Sequence, residues 1–228
     1  MNGKSHAKSG SRELDSRFVL LSLALVVFAT LVLTAGPAKA QFDGQKQVDK
    51  LISKANDTIG AMRAGRVQIG STVDGYNTIM AGEAVDNRKA YKKLTKELAK
   101  SEKSAAKVRT KAEAMDVVAN DFFSNWEASL ADFSSEDLRQ RSAQRLNDTR
   151  KRYEGILEAA GKAGDAFDPF VSNLKDQILF LGHDLNPSAI QALQGDAKKL
   201  NGQAAEVFKD VDKTIATASE YTASLRPE

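Results

Sequence analysis

Apolar and small residues recur at steps of three and four in four long stretches of this chain, the spacing that keeps one seam on one side of an α-helix. The longest reads Leu146, Thr149, Tyr153, Ile156, Ala160, Ala163, Phe167, Phe170, Leu174, Ile178 and Leu181, within a helix predicted from Ser135 to Asn186. At 1.5 Å per residue such a helix would be roughly 75 Å long, and a seam of that length is stable only when other long helices cover it. The predicted fold is all-α: an elongated antiparallel bundle of about four long helices with coiled-coil-like heptad packing, preceded by a signal helix.

The covering helices can be read in turn. A first is predicted from Gln45 to Met80 on Val48, Leu51, Ile52, Ala55, Ile59, Met62, Val73, Tyr76 and Ile79. Gly60, Gly65, Gly70 and Gly75 fall inside it, each costing up to about 1 kcal/mol relative to Ala. They leave continuity open between Gly65 and Gly75, where residues 66–69 are a candidate extended segment, or else they admit a neighbouring backbone. Ala81-Gly82 is a stop. A second helix is predicted from Ala84 to Ala131 on Tyr91, Leu94, Leu98, Ser101, Ala105, Val108, Ala112, Met115, Ala119, Phe122 and Trp126. Its small mid-seam residues predict close helix approach, and Phe122, Phe123, Trp126 and Phe133 form a bulky plug against Leu138.

Ser134 and Asp137 have the S-x-x-D form of a capping box and start the third helix after a turn so short that helices two and three must be antiparallel. With Asp132 opposite Glu136, Glu127 falls near Arg141, Asp121 near Arg145 and Asp116 near Arg152, an acidic row facing a basic one. Gly161, Gly164 and Pro169 predict a kink, not a reversal, because the apolar phase continues past them. Asn186 as N-cap and Pro187 at the first helical position open a fourth helix, predicted from Pro187 to Leu225.

Composition changes this picture at the amino terminus. Lys4, Lys8, Arg12 and Arg17 precede an apolar run from Phe18 to Leu33, and Ala38 and Ala40 form an A-x-A site whose cleavage would leave Gln41 first. Residues 1–40 are expected to be a signal peptide, or else an uncleaved anchor, and residues 41–228 a single helical-bundle domain. In either case the chain is exported past the inner membrane, periplasmic or secreted. The chain has no cysteine, which removes lipid anchoring, disulfides and thiol chemistry. The first forty residues hold five of its 33 basic and two of its 30 acidic side chains, leaving 28 of each. The basic balance of the whole chain is therefore no nucleic-acid footprint.

Candidate chemistry is sparse. There is no P-loop, dinucleotide fingerprint or nucleophile elbow, and His183 is the one histidine after the signal, at a helix end where it would bond free carbonyls. No enzyme activity, cofactor, metal or small-molecule substrate is expected. Two surfaces remain. Lys93, Lys96, Lys100, Lys103 and Lys107 repeat on the face of helix two opposite its seam, a solvated face or a contact for an anionic membrane or cell-wall polymer. Ile178, Leu179, Phe180 and Leu181 are apolar at four consecutive positions, an enclosed core segment or a docking surface for a partner. The expected function is a structural or adaptor role in the cell envelope, through an unidentified envelope protein or self-association.

Trp126-Glu127, Leu138-Arg139, Thr149-Arg150-Lys151-Arg152-Tyr153, Asp176-Gln177-Ile178-Leu179-Phe180-Leu181 and His183 with Leu185-Asn186 together resemble a bacterial family of exported helical proteins. The family is catalogued as domain of unknown function twenty-nine fifty-nine. The resemblance runs over roughly residues 85–225 and implies a helical fold and an envelope compartment, with no activity attached. Family members often carry a lipobox cysteine and a tyrosine- and lysine-rich opening, neither of which is visible here. Gly182 stands where the family has Lys.

Overall fold

The computed structural model describes residues 43–226, and the predicted cleavage site at Ala38, Ala40 and Gln41 lies outside them. The described residues form five α-helices: α1 Gly44–Met80, α2 Asn87–Ser129, α3 Glu136–His183, α4 Pro187–Ala192 and α5 Gln194–Ser224, with a 3-10 turn at Leu130–Asp132. There is no strand among them, and no helix is long and apolar enough to cross a membrane.

Helix α1 runs unbroken through its four glycines, so the candidate extended segment at 66–69 is helical. Packing outweighs propensity: Leu51, Ile59, Tyr76 and Ile79 are buried on either side of the glycine stretch. The helix stops at the predicted place. Gly82 takes a positive φ of 72°. Its N–H bonds the Ile79 carbonyl and that of Glu83 the Thr78 carbonyl, the paired bonds of a Schellman motif. Helix α2 starts three residues later than predicted because Asp86 caps it, accepting from the Lys89 N–H.

The cap of α3 is Ser135, one residue beyond the prediction, and it accepts from the Leu138 N–H while Asp137 pairs with Arg141. Pro169 does not interrupt α3. It lies on an exposed face beside exposed Asp165, so the carbonyl left without its usual donor faces water. Asn186 caps α4 by accepting from the Ala189 N–H, with Pro187 at the first helical position. The fourth helix is not continuous. It breaks at Leu193, which lets Ile190 and Leu193 both be buried and sends the Gln194 side chain to the Met80 carbonyl at the end of α1.

The long helices alternate in direction. α1 packs most extensively on α2 and α3 on α5, so the bundle is two helix pairs laid face to face; of the neighbouring long helices, α2 and α3 touch least despite the short turn joining them. Two separate cores result. One gathers Tyr76, Leu94, Phe170, Leu174, Leu181, Leu200 and Val207; the other gathers Leu51, Met115, Phe122, Phe123, Leu146, Tyr153 and Tyr221.

Candidate functional site

The α1/α2 and α3/α5 pairs are held apart by the large side chains in the two cores. One end carries a relay of rings, Phe122 to Phe123 at 5.3 Å, Phe123 to Tyr153 at 5.7 Å and Tyr153 to Tyr221 at 6.1 Å between centroids. Phe133 and Leu138, predicted to join this plug, are 40% and 51% exposed. At the other end the Tyr76 hydroxyl donates to Gln177 Oε1, and Gln177 Nε2 donates to Asn173 Oδ1 at 3.0 Å.

Between these ends every long helix contributes small residues, and a cavity of about 180 Å³ opens. Its wall includes Gly65 from α1, Ala105 and Ala112 from α2, Ala160, Ala163 and Gly164 from α3, and Thr214 from α5. The expectation of close approach holds within one pair, where Gly65 lies against Val108 and Ser104. It fails between the pairs, where a Cβ on Gly164 would meet nothing within 4 Å.

Ion pairs border the cavity on two sides. Arg66 Nε meets Asp212 Oδ1 at 2.6 Å, with its guanidinium 5.0 Å from the Phe208 ring, and Arg109 Nη2 meets Asp168 Oδ1 at 2.8 Å. Between α2 and α3, Lys175 to Glu102 at 2.5 Å, Arg109 to Asp168 and Arg150 to Glu127 at 3.0 Å share one antiparallel register. The predicted acidic and basic rows do not form that ladder. Arg141 and Arg139 bond Asp137 and Glu136 in their own helix, and Asp116 accepts from the Tyr153 hydroxyl at 2.9 Å. The reason is geometric: Glu102 and Arg109 are seven apart, as are Asp168 and Lys175, so pairs of alternating sign stack along one stripe.

Electrostatics inside the bundle favour neutral groups. Burial pushes the phenols of Tyr76, Tyr153 and Tyr221 well above the ordinary tyrosine value, aided by Asp196 beside Tyr76 and by Asp116 beside Tyr153. On the surface, hydrogen bonds from Lys111, Gln68, Arg139 and Lys162 hold the carboxyls of Asp57, Glu97, Glu136 and Glu158 below their usual range. Among the described residues no group of three or more His, Asp or Glu is placed to hold a metal ion.

The residues singled out in the sequence fall elsewhere. Lys93, Lys96, Lys100, Lys103 and Lys107 are all exposed on α2, and among the described residues Lys100 alone of the five is in an ion pair, with Glu97 at 2.9 Å. The apolar run at the end of α3 divides. Ile178 and Leu181 are buried, whereas Leu179 and Phe180 are 62% and 45% exposed, so enclosure on all sides does not hold. His183 is the exposed last residue of α3. Sequence reasoning missed the cavity. Its one signal was the coincidence of small seam residues at matching heights in the predicted helices.

A family model described as "Protein of unknown function (DUF2959)" matches residues 38–225. No curated protein and no solved structure matches the chain.

Proposed function

The chain belongs to the family of proteins of unknown function DUF2959, and from that premise we propose that it is a non-enzymatic structural or adaptor protein of the cell envelope. The observation that carries this reading is the division of the Asp176 to Leu181 motif. Ile178 and Leu181 hold the bundle together while Leu179 and Phe180 stand out from it, apolar side chains offered at the end of a long rigid helix. Export is part of the proposal. The family match begins at Ala38, the first residue of the A-x-A site, so the basic and apolar stretch before it lies outside the match, which supports a leader ahead of the domain.

The test is in-cell crosslinking from a photoreactive residue at position 179, with position 157 on the exposed face of the same helix as control. An adduct with one envelope protein or a second copy, formed from 179 and not from 157, is the expected result. Equal labelling from both positions, or none from either, would remove the adaptor reading. Native protein recovered from the cytosol with its first forty residues intact would remove export.

A second reading rests on the lysine face. Ten basic residues lie between Arg88 and Lys111 against two acids, Glu97 and Glu102, and both acids are already paired. The five lysines extend over fourteen helical steps, roughly 20 Å, a stripe suited to an anionic lipid surface or cell-wall polymer. Sedimentation with anionic vesicles at low salt, fading as salt rises and abolished by Lys→Gln at all five positions, is the expected outcome. Wild-type protein that stays in the supernatant at low salt would exclude it.

A further inference from the structure

We infer that the mid-bundle cavity is a binding slot for a straight alkyl chain, a ligand that no motif in the sequence leads one to expect. The cavity lies between two completed cores, and the rings of Phe122 and Tyr153 on one side and of Tyr76 and Phe170 on the other keep the helix pairs from closing on it. An enclosed apolar cavity of about 150 Å³ stays dry and takes up benzene, whereas this one is open to solvent on one side. This one measures about 180 Å³, and its wall runs from Met62 to Ile69 on α1 and from Ala160 to Phe167 on α3, seven helical steps or roughly 10 Å. A volume of that size drawn out over that length is narrow. It fits a chain better than a fused ring system.

The wall is mostly apolar, and its two charged groups, the Arg66 and Arg109 guanidiniums, are each paired with a carboxylate, Asp212 and Asp168. Ser101 Oγ and Thr72 Oγ1 share a hydrogen bond of 2.8 Å, and the Thr214 hydroxyl donates to the Asp210 carbonyl at 2.8 Å, so the hydroxyls lining the space are already satisfied. Access is through the side between α2 and α3, the neighbouring long helices with the least packing between them. A groove there holds Glu102, Arg109, Asp168 and Lys175 and shares Ala105, Arg109 and Phe167 with the cavity wall. The two ion pairs across it are between 42% and 69% exposed, and exposed pairs hold weakly, so they part at little cost. With two cations and two anions the mouth selects no net charge. The tail is recognised and the head stays outside, whether the chain comes free or as part of a single-chain lipid.

Three methionines make the inference testable. Met62 lines the cavity, whereas Met80 and Met115 belong to the two flanking cores. With the full chain labelled at its methionine methyls, titration with 1-octanol should move the Met62 signal saturably and leave Met80 and Met115 in place. Ala163→Leu, which places a larger side chain in the slot, should abolish the shift and raise the melting temperature. If that variant does not fold, Gly164→Ala adds a methyl to empty space and should weaken octanol binding at least tenfold. A parallel titration with lysophosphatidylcholine separates the sources: a Met62 shift with both probes means a lipid tail is accepted, and with octanol alone a free chain. The proposal is overturned if Met62 does not move, if all three methyls move together, or if Ala163→Leu leaves the octanol shift intact.

Discussion

Tyr76 is completely buried, and its hydroxyl ties α1 to Gln177 on α3 across the diagonal of the bundle. Gln177 is itself 4% exposed and reaches on to Asn173 and, at 3.4 Å, the Asp196 carbonyl. Tyr76→Phe keeps the ring and deletes the donor. It forfeits a bond worth about 1 kcal/mol net and leaves the buried Gln177 Oε1 unsatisfied, a penalty of about 1–3 kcal/mol that includes that loss. We expect a loss of about 2 kcal/mol, or about 4–8 °C in melting temperature for a domain of this size. Gln177→Leu should cost more, about 3 kcal/mol, because it also strips Asn173 Oδ1 of its donor. In the Gln177→Leu background the same Tyr76→Phe change should cost under about 0.5 kcal/mol, since the acceptor it would orphan is gone. The difference is a coupling of about 1.5 kcal/mol, within the range found for residues in one hydrogen-bond network. Urea unfolding followed by helical circular dichroism measures all four members of the cycle, with equal slopes expected across them. Equal costs for Tyr76→Phe in both backgrounds would refute the network argument.

Particular contacts set the remaining outcomes. Sliding α2 along α3 by seven residues would set Glu102 against Asp168 or Arg109 against Lys175; accordingly Glu102→Lys should lower stability by under about 1 kcal/mol, and adding Lys175→Glu should restore it in a thermal melt. Gly60→Ala and Gly70→Ala, where an added Cβ meets nothing within 4 Å, should each stabilise by up to about 1 kcal/mol in the same melt. Gly182→Ala should destabilise, because its Cβ would lie 2.5 Å from the Tyr91 hydroxyl, and Tyr91→Phe should relieve the loss; a stabilised Gly182→Ala would contradict the contact. The phenols of Tyr76, Tyr153 and Tyr221 are raised in the folded state, so the stability they contribute is complete below the ordinary tyrosine value of about 10 and is lost as pH climbs above it. Tyrosinate absorbance from these three should appear together with loss of helix on alkaline titration, and its appearance in a fully helical protein would contradict their burial.

Helix identity was legible because it is local. Steps of three and four, Gly82 at a stop, Asn186 before Pro187 and the phase carried through Pro169 all act within one or two turns, and the structure keeps each of them. The glycines of α1 misled only as to continuity, since the burial that overrides them comes from residues on other helices. Charge rows were harder. Opposite signs along two helices admit several registers, and the one adopted sets Glu127 against Arg150, which depends on how far the cores hold α2 from α3.

What the sequence determined by itself is the four long helices, their seams and their alternating directions, because hydrophobic period and short turns leave little choice; the break at Leu193 was not among them. Which seams close was decided in three dimensions. The same small residues bring α1 against α2 at Gly65 and leave a void at Gly164, since the spacing there is imposed by rings and leucines several turns away. A stripe of alanines states how near two helices are able to come; the bulk of the side chains above and below it determines how near they do come.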